Sequence, residues 1–507
     1  MMKHFGRKII KMKQKSITRR VFALSSIAVT AFALSPFSSV VAAEPLIPKG
    51  DGKPADMTKP VQVFILLGQS NMVGMGALAG GSSRWGKEFI DPVVSVYLGV
   101  YNPATDYDAL KPEKTLSLQS FGGGEPTPYP GGGTQIVRGL LQPAVTGLYE
   151  FNPGYGASED NIMVVNGVEV HRKEPGAKAA KKSVKLTAGE KVPFKITYLT
   201  EQANGLGWMM RMDVPGTLNT LVRQQGKYPY LLDGDGNWSV RQDVRFVRYM
   251  SGNGPLNNEW MGIRGGTIGP EHGIGHALGN AIEAPVMILK CCIGNRGLAW
   301  DLLPPGSERF VEDGKVYAGY KDRPPFWDAD PAKGVATEPP PWLDKSGKPI
   351  AWWAGLQYDL DIGDAKKALA DIAKHYPDAT KYEVAGFFFW QGEKDGGNAV
   401  HAAHYEKNLV TFIKALRKDF TAPDAKFVLG TMGEAVKGGG DKVLEGQLAV
   451  DGASGKYPDF KGNVTTVYTH PMAQGGAGNG HYNRNAEVYM DVGEAMGKAM
   501  LEMIKSK

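Results

Sequence analysis

Residues 61–74 read VQVFILLGQSNMVG, and the character of the chain changes abruptly inside this stretch. Residues 61–67 are apolar except for Gln62, and the run stops at Gly68-Gln69-Ser70-Asn71-Met72. Large and β-branched side chains in one run, closed by a glycine, predict a strand buried on both faces. Open α/β sheets bind ligands just beyond the carboxyl ends of such strands. Ser70 stands there and is a candidate nucleophile. A serine hydroxyl needs a base and an oxyanion site to act, and without them GQSN reads equally well as a polar strand-to-helix turn.

Outward from this stretch the chain has two textures. From about residue 257 to the C-terminus, apolar runs at 285–292, 384–390, 426–430 and 464–469 alternate with helical patterns at 364–375, 402–420 and 486–504. Strands alternating with helices predict a parallel sheet covered on both faces, an α/β fold built as a three-layer α/β/α sandwich of about five strands. Residues 85–214 are instead rich in Gly and Pro and show no long helical pattern. There, 162–165 and 168–171 flank Asn166-Gly167, a type I′ hairpin signal, and 184–186 and 192–199 flank Thr187-Ala188-Gly189 as a second. The expected organisation is an α/β domain in two parts, 44–84 and 215–507, with an all-β sandwich inserted at 85–214. Asp233, Asp235 and Asn237 lack the acidic twelfth position of a calcium loop and read as a turn.

Residues 1–43 carry eight Lys or Arg and no acid, followed by an apolar run and Val41-Ala42-Ala43. This is the pattern of an export signal cut after Ala43, and the expected location is periplasmic or extracellular. Thr18-Arg19-Arg20-Val21-Phe22 resembles a twin-arginine signal; a plain secretory signal with an incidental Arg pair reads as well. Of 58 basic and 52 acidic residues, 50 basic residues remain after the leader, so the net charge falls from +6 to −2. Nothing in that charge calls for a nucleic-acid partner. No later apolar run reaches the roughly 18 residues of a spanning helix. Cys291 and Cys292 are the only cysteines and are adjacent, so they read as two buried thiols and not a disulfide.

Three further places offer chemistry. Gly269-Pro270-Glu271 precedes a helical pattern, where a glycine lets a backbone N–H approach an oxyanion; a plain helix entry with Pro in the first turn is the simpler reading. Trp390-Gln391-Gly392-Glu393-Lys394-Asp395 follows an apolar run and sets an amide and two carboxylates at a sheet edge, or merely starts a helix. Gly478-Asn479-Gly480-His481 places one of nine histidines in a glycine-rich loop, where it would supply the missing base.

Together Gly68-Gln69-Ser70-Asn71-Met72, Gly269-Pro270-Glu271, Trp390-Gln391-Gly392-Glu393 and the late His481 resemble the SGNH-type hydrolases, and among them the sialate O-acetylesterase-like group that includes carbohydrate esterase family six. The resemblance covers about residues 58–80 and 215–506, and no G-x-S-x-G elbow is present. It implies an enzyme, a carbohydrate O-acetylesterase acting on an acetylated oligo- or polysaccharide, with neither cofactor nor metal. Ser70 would be the nucleophile and first oxyanion donor, Gly269 the second donor, Gln391 a side-chain donor, and His481 the base. Many SGNH enzymes carry Asp three residues before the histidine, where this chain has Gly478. Glu393 then stands first for the third triad place, Asp395 in reserve, and a backbone carbonyl is the remaining option. Asn71, Arg296, Trp300, Asp301 and Trp390 are candidate substrate contacts. Trp327, Trp342, Trp352 and Trp353 either stack sugar rings or pack a long loop. The stretch 162–215 resembles an anthrax protective-antigen-type β-sandwich, which implies carbohydrate binding or a structural insert. A non-catalytic glycan binder and an SGNH lipase or thioesterase are the competing readings.

Overall fold

The computed structural model describes residues 47–506 apart from 81, 85–87, 100, 118–126, 129–133, 153–160, 175–176, 199–201, 204–207, 252–253 and 474–477. The expected export signal lies outside the described residues.

Val61–Gly68 (β1) is the middle strand of a seven-stranded sheet. The others are Val240–Tyr249 (β2), Asn257–Gly262 (β3), Val286–Cys291 (β4), Tyr382–Trp390 (β5), Lys426–Gly430 (β6) and Val464–Val467 (β7), in the order β3-β2-β4-β1-β5-β6-β7. Every neighbouring pair is parallel except β2 with β3, which is antiparallel. Alternation along β1 sends Val63, Ile65 and Leu67 into one hydrophobic cluster and Phe64 and Leu66 into another. The first cluster includes side chains of Leu356–Ala370 (α3) and Ala399–Asp419 (α4). The second includes those of Glu271–Ala281 (α2) and Ala486–Lys505 (α5). Helices on both faces are why β1, β4 and β5 are largely apolar, with Gln62, Lys290 and Glu383 the charged or amide exceptions. Cys291 and Cys292 are free and buried, one in each cluster.

The sheet is wider than the five strands expected. β2 reads VRQDVRFVRY, and its charged residues hide the buried Val244, Phe246 and Val247 from a search for apolar runs.

Between β1 and β2 lie two antiparallel sheets of seven and four strands. They share one hydrophobic cluster, with Val94, Val137, Met163, Phe194 and Ile196 from the larger sheet and Tyr149, Phe151, Leu186 and Met209 from the smaller. The Asn166-Gly167 turn joins Asn161–Val165 to Val168–Lys173, with φ of 49° and 75°. The second expected hairpin does not form. Val184–Leu186 pairs with Gly147–Asn152 in the smaller sheet, whereas Val192–Tyr198 pairs with Thr134–Leu141 and Asn161–Val165 in the larger. Local turn chemistry cannot reveal that the two strands belong to different sheets. Asp233 does form a turn, accepting the N–H groups of Asp235 and Asn237 at 2.9 and 2.8 Å.

One glycine fixes how the central strands meet. Gly68 has φ +148°, and a Cβ there would lie 2.4 Å from the Trp390 carbonyl oxygen. Gly68→Ala is therefore expected to destabilise the protein by about 2–3 kcal/mol in urea unfolding. Gly234→Ala, where nothing stands within 4 Å, is expected to stay within about 0.5 kcal/mol of the parent.

Candidate active site

β1 and β5 end level, Gly68 paired with Trp390, so the segments after them leave the sheet side by side. Gln69 N–H donates to the Trp390 carbonyl at 3.2 Å. Ser70 then opens a single helical turn, Ser70–Val73 (α1), closed by Val73 N–H to Gln69 O at 3.0 Å and Gly74 N–H to Ser70 O at 3.1 Å. Ser70 Oγ lies 3.0 Å from His481 Nε2, a residue 411 positions away. That distance lets the imidazole take the hydroxyl proton.

His481 stands on an unusual turn. His481, Tyr482, Asn483 and Arg484 have φ of 53°, 49°, 50° and 61°, all left-handed, a conformation that costs roughly 1–2 kcal/mol per L-residue. Tyr482 anchors it. Its ring is fully buried and near-parallel to Trp390 at 6.0 Å, and its hydroxyl accepts the Gly433 N–H at 3.1 Å. Trp390 is itself fully buried, with its indole N–H on Thr431 O at 3.0 Å. It supports the histidine turn and is not a sugar contact.

Several expected roles do not fit the geometry. Gly269 lies against Gly74, at the far end of α1 from Ser70, and its N–H donates to Glu271 Oε1 at 3.1 Å. It is no oxyanion donor. Gln391 is fully buried, and its amide nitrogen donates to Arg296 O at 3.0 Å and Asp395 Oδ2 at 2.6 Å. Both amide hydrogens are thus committed away from Ser70. Asp395 accepts in addition the N–H groups of Leu298 and Ala299, at 2.7 and 2.8 Å. It anchors the loop after β4. Glu393 Oε2 accepts from Gln69 Nε2 at 3.3 Å, and among the described residues no carboxylate hydrogen-bonds His481. The glycine that does reach the serine is Gly294, where an added Cβ would stand 3.3 Å from Ser70 Cβ. It follows β4 at the same sheet edge, and its nearness to Ser70 has no counterpart in local sequence.

Of the candidate substrate contacts, Asn71 is fully buried, with its carbonyl accepting the Tyr489 hydroxyl at 3.0 Å. Asp301 is buried and accepts the Gly297 N–H at 2.9 Å. Both are internal braces. Arg296, two residues beyond Gly294, is half-buried; its guanidinium lies 5.0 Å over the Trp352 ring, with Nε on Gln357 at 3.0 Å. Trp300 meets Trp342 edge to face at 5.8 Å. Trp327 is buried in a small cluster with Leu303 and Val316, and Trp353 donates to Asp359 at 3.2 Å. Among the described residues no cluster of three or more His, Cys, Asp or Glu is arranged to hold a metal, and no helix is long and apolar enough to cross a membrane.

Residues 344–502 match the family model described as carbohydrate esterase, sialic acid-specific acetylesterase. The protein is an esterase. The matched segment contains Glu393 and His481 and begins well after Ser70. Among solved structures, a carbohydrate acetylesterase from Xanthomonas citri is similar at 12% identity and TM-score 0.31, over 74% of this chain and 72% of that one. NanS is similar at 12% identity and TM-score 0.30, over 89% and 99%. A family two carbohydrate esterase from Cellvibrio japonicus shows 13% identity and TM-score 0.24, over 76% and 93%. At these values the likenesses carry no functional assignment. No curated protein matches the chain.

Burial pushes the Asp395 carboxyl up to about 6, against the Ala299, Leu298 and Gln391 donors that favour its charge. Such a group binds a proton more readily folded than unfolded, so its contribution to stability declines as pH rises from about 4 through 6. Asp395→Asn acquires no charge over that range. Its stability relative to the parent is expected to improve by about 2 kcal/mol between about pH 4 and about pH 7, read from urea midpoints. A difference that does not change with pH contradicts this.

Proposed function

We propose that the protein is an exported serine esterase that removes O-acetyl groups from carbohydrate through an acyl-serine intermediate. In this reading residues 44–84 and 215–507 form an SGNH-type α/β/α hydrolase domain, and 85–214 an inserted β-sandwich that binds glycan. The observation that carries the reading is the 3.0 Å contact between Ser70 Oγ and His481 Nε2 at the carboxyl edge of the sheet. The carbohydrate esterase match over 344–502 supports the substrate class.

His481 takes the Ser70 proton as Oγ attacks the acetyl carbonyl, forming a tetrahedral oxyanion. The N–H groups of Ser70 and Gly294 stabilise it, Gly294 replacing the Gly269 expected from sequence. His481 then protonates the departing sugar hydroxyl. Water, activated by the same imidazole, releases acetate. Glu393 acts through Gln69, holding the residue before the nucleophile. Arg296 over Trp352 offers a cation and an aromatic face beside the Gly294 turn, which suits an acidic sugar.

The test is acetate release from O-acetylated sialic acid, acetylated xylan and acetylated pectin. The parent is expected to release acetate, and Ser70→Ala to lose about 10³-fold or more in kcat without a fall in Tm. Short acyl chains are expected to be preferred among p-nitrophenyl esters. An optimum at about eight carbons would indicate a lipase, and glycan binding without any release a binding protein.

A further inference from the structure

The Gly269-Pro270-Glu271 motif has no place in the oxyanion site, yet it leads directly to the nucleophile. Lys290 lies within β4, fully buried, beside Leu66 of β1. Its Nζ is 2.5 Å from Glu271 Oε2 and 3.1 Å from the carbonyl oxygen of Val73, the last residue of the turn that Ser70 opens. The other oxygen of Glu271 accepts the Gly269 N–H at 3.1 Å. Gly269 in turn lies against Gly74, where a Cβ would stand 2.6 Å from Gly269 N. The ion pair therefore grips α1 at its closing end from two sides. His272 Nε2, 3.7 Å from Glu271 Oε1, and the Phe246 ring, 5.7 Å from Lys290 Nζ, complete its surroundings.

We propose that Glu271 and Lys290 are positioning residues that hold the nucleophile turn against the Gly294 loop; the proposal rests on Ser70 being the nucleophile. Stability alone gives little reason for such a pair. A buried ion pair is commonly no better than well-packed apolar residues of similar size, and the neighbours of Lys290 in β4 are Ile288, Leu289 and Cys291. Apolar residues, however, cannot donate to the Val73 carbonyl or accept the Gly269 N–H, and would leave both groups unpaired beneath the site. Lys290 also precedes Gly294 by four residues on one continuous segment. A single side chain thus ties the serine turn to the strand that delivers the glycine packed on Ser70. Loosening it displaces the hydroxyl from His481 and from the oxyanion donors together, and a shift of about 1 Å in such a site costs up to about 100-fold in rate.

The test compares the parent with the double variant Glu271→Gln/Lys290→Met, which leaves no lone buried charge. Tm, kcat and KM for p-nitrophenyl acetate, and the rate of phosphonylation of Ser70 by a fluorophosphonate, are measured on each. The expected result is a folded variant with kcat down about 10- to 100-fold, KM within about twofold, and phosphonylation slowed by the same factor as kcat. A folded variant with unchanged kcat and labelling rate overturns the proposal. Should the double variant not fold, Glu271→Asp takes its place, expected to keep the fold with an intermediate loss in both rates; unchanged rates there overturn the proposal equally. If the parent itself is neither labelled at Ser70 nor active, the nucleophile assignment has failed, a result distinct from failure of the clamp alone.

Discussion

The Gly68 backbone lies so close to the Trp390 carbonyl that no side chain fits between them, and the rest of the site follows from that contact. It brings the ends of β1 and β5 level. The turn bearing Ser70 and the segment Gln391–Glu393 therefore emerge side by side, where Gln69 bonds both the Gly392 N–H, at 3.3 Å, and the Glu393 carboxylate. The Trp390 ring stacks on Tyr482 and so supports the left-handed turn of His481. One backbone contact between two strands thus sets both members of the serine–histidine pair, although 411 residues separate them.

A second layer of buried polar groups keeps the neighbouring loop in place. The Gln391 carbonyl accepts the Tyr405 hydroxyl at 3.0 Å and the Gln447 amide at 2.8 Å, while its side chain bridges Asp395 and Arg296. Asp395 then holds Leu298 and Ala299. Networks of this kind are costly when incomplete and specify one arrangement when satisfied. Here they fix the loop that begins at Gly294. The residues most suggestive of catalysis in the Trp390–Asp395 stretch are largely the framework of the site and not its reacting groups.

The strands β1, β4 and β5 were legible because burial on both faces leaves a continuous apolar run. β2 was not, since Arg241, Asp243, Arg245 and Arg248 interrupt its buried positions. The strand-end serine and the late histidine were legible as single residues, each in a setting that favours exposure of a reactive group. Their partners were not. Gly269 and Gly294 both stand in glycine-bearing turns, and only the packing of the β4 loop against Ser70 separates them. Gln391 offers a donor in sequence, but burial commits it to Arg296 and Asp395. Lys290 reads as one polar residue in an apolar strand, and its reach to Val73 exists only in three dimensions.

The proposed chemistry stands on the pairing of Ser70 with His481. Its most direct test is to expose the protein to a serine-directed fluorophosphonate and map the modified peptide by mass spectrometry, in the parent and in His481→Ala. Modification is expected at Ser70 in the parent, slowed by about 10²-fold or more without the imidazole. Modification at another serine, or equal labelling of Ser70 in both proteins, would contradict it.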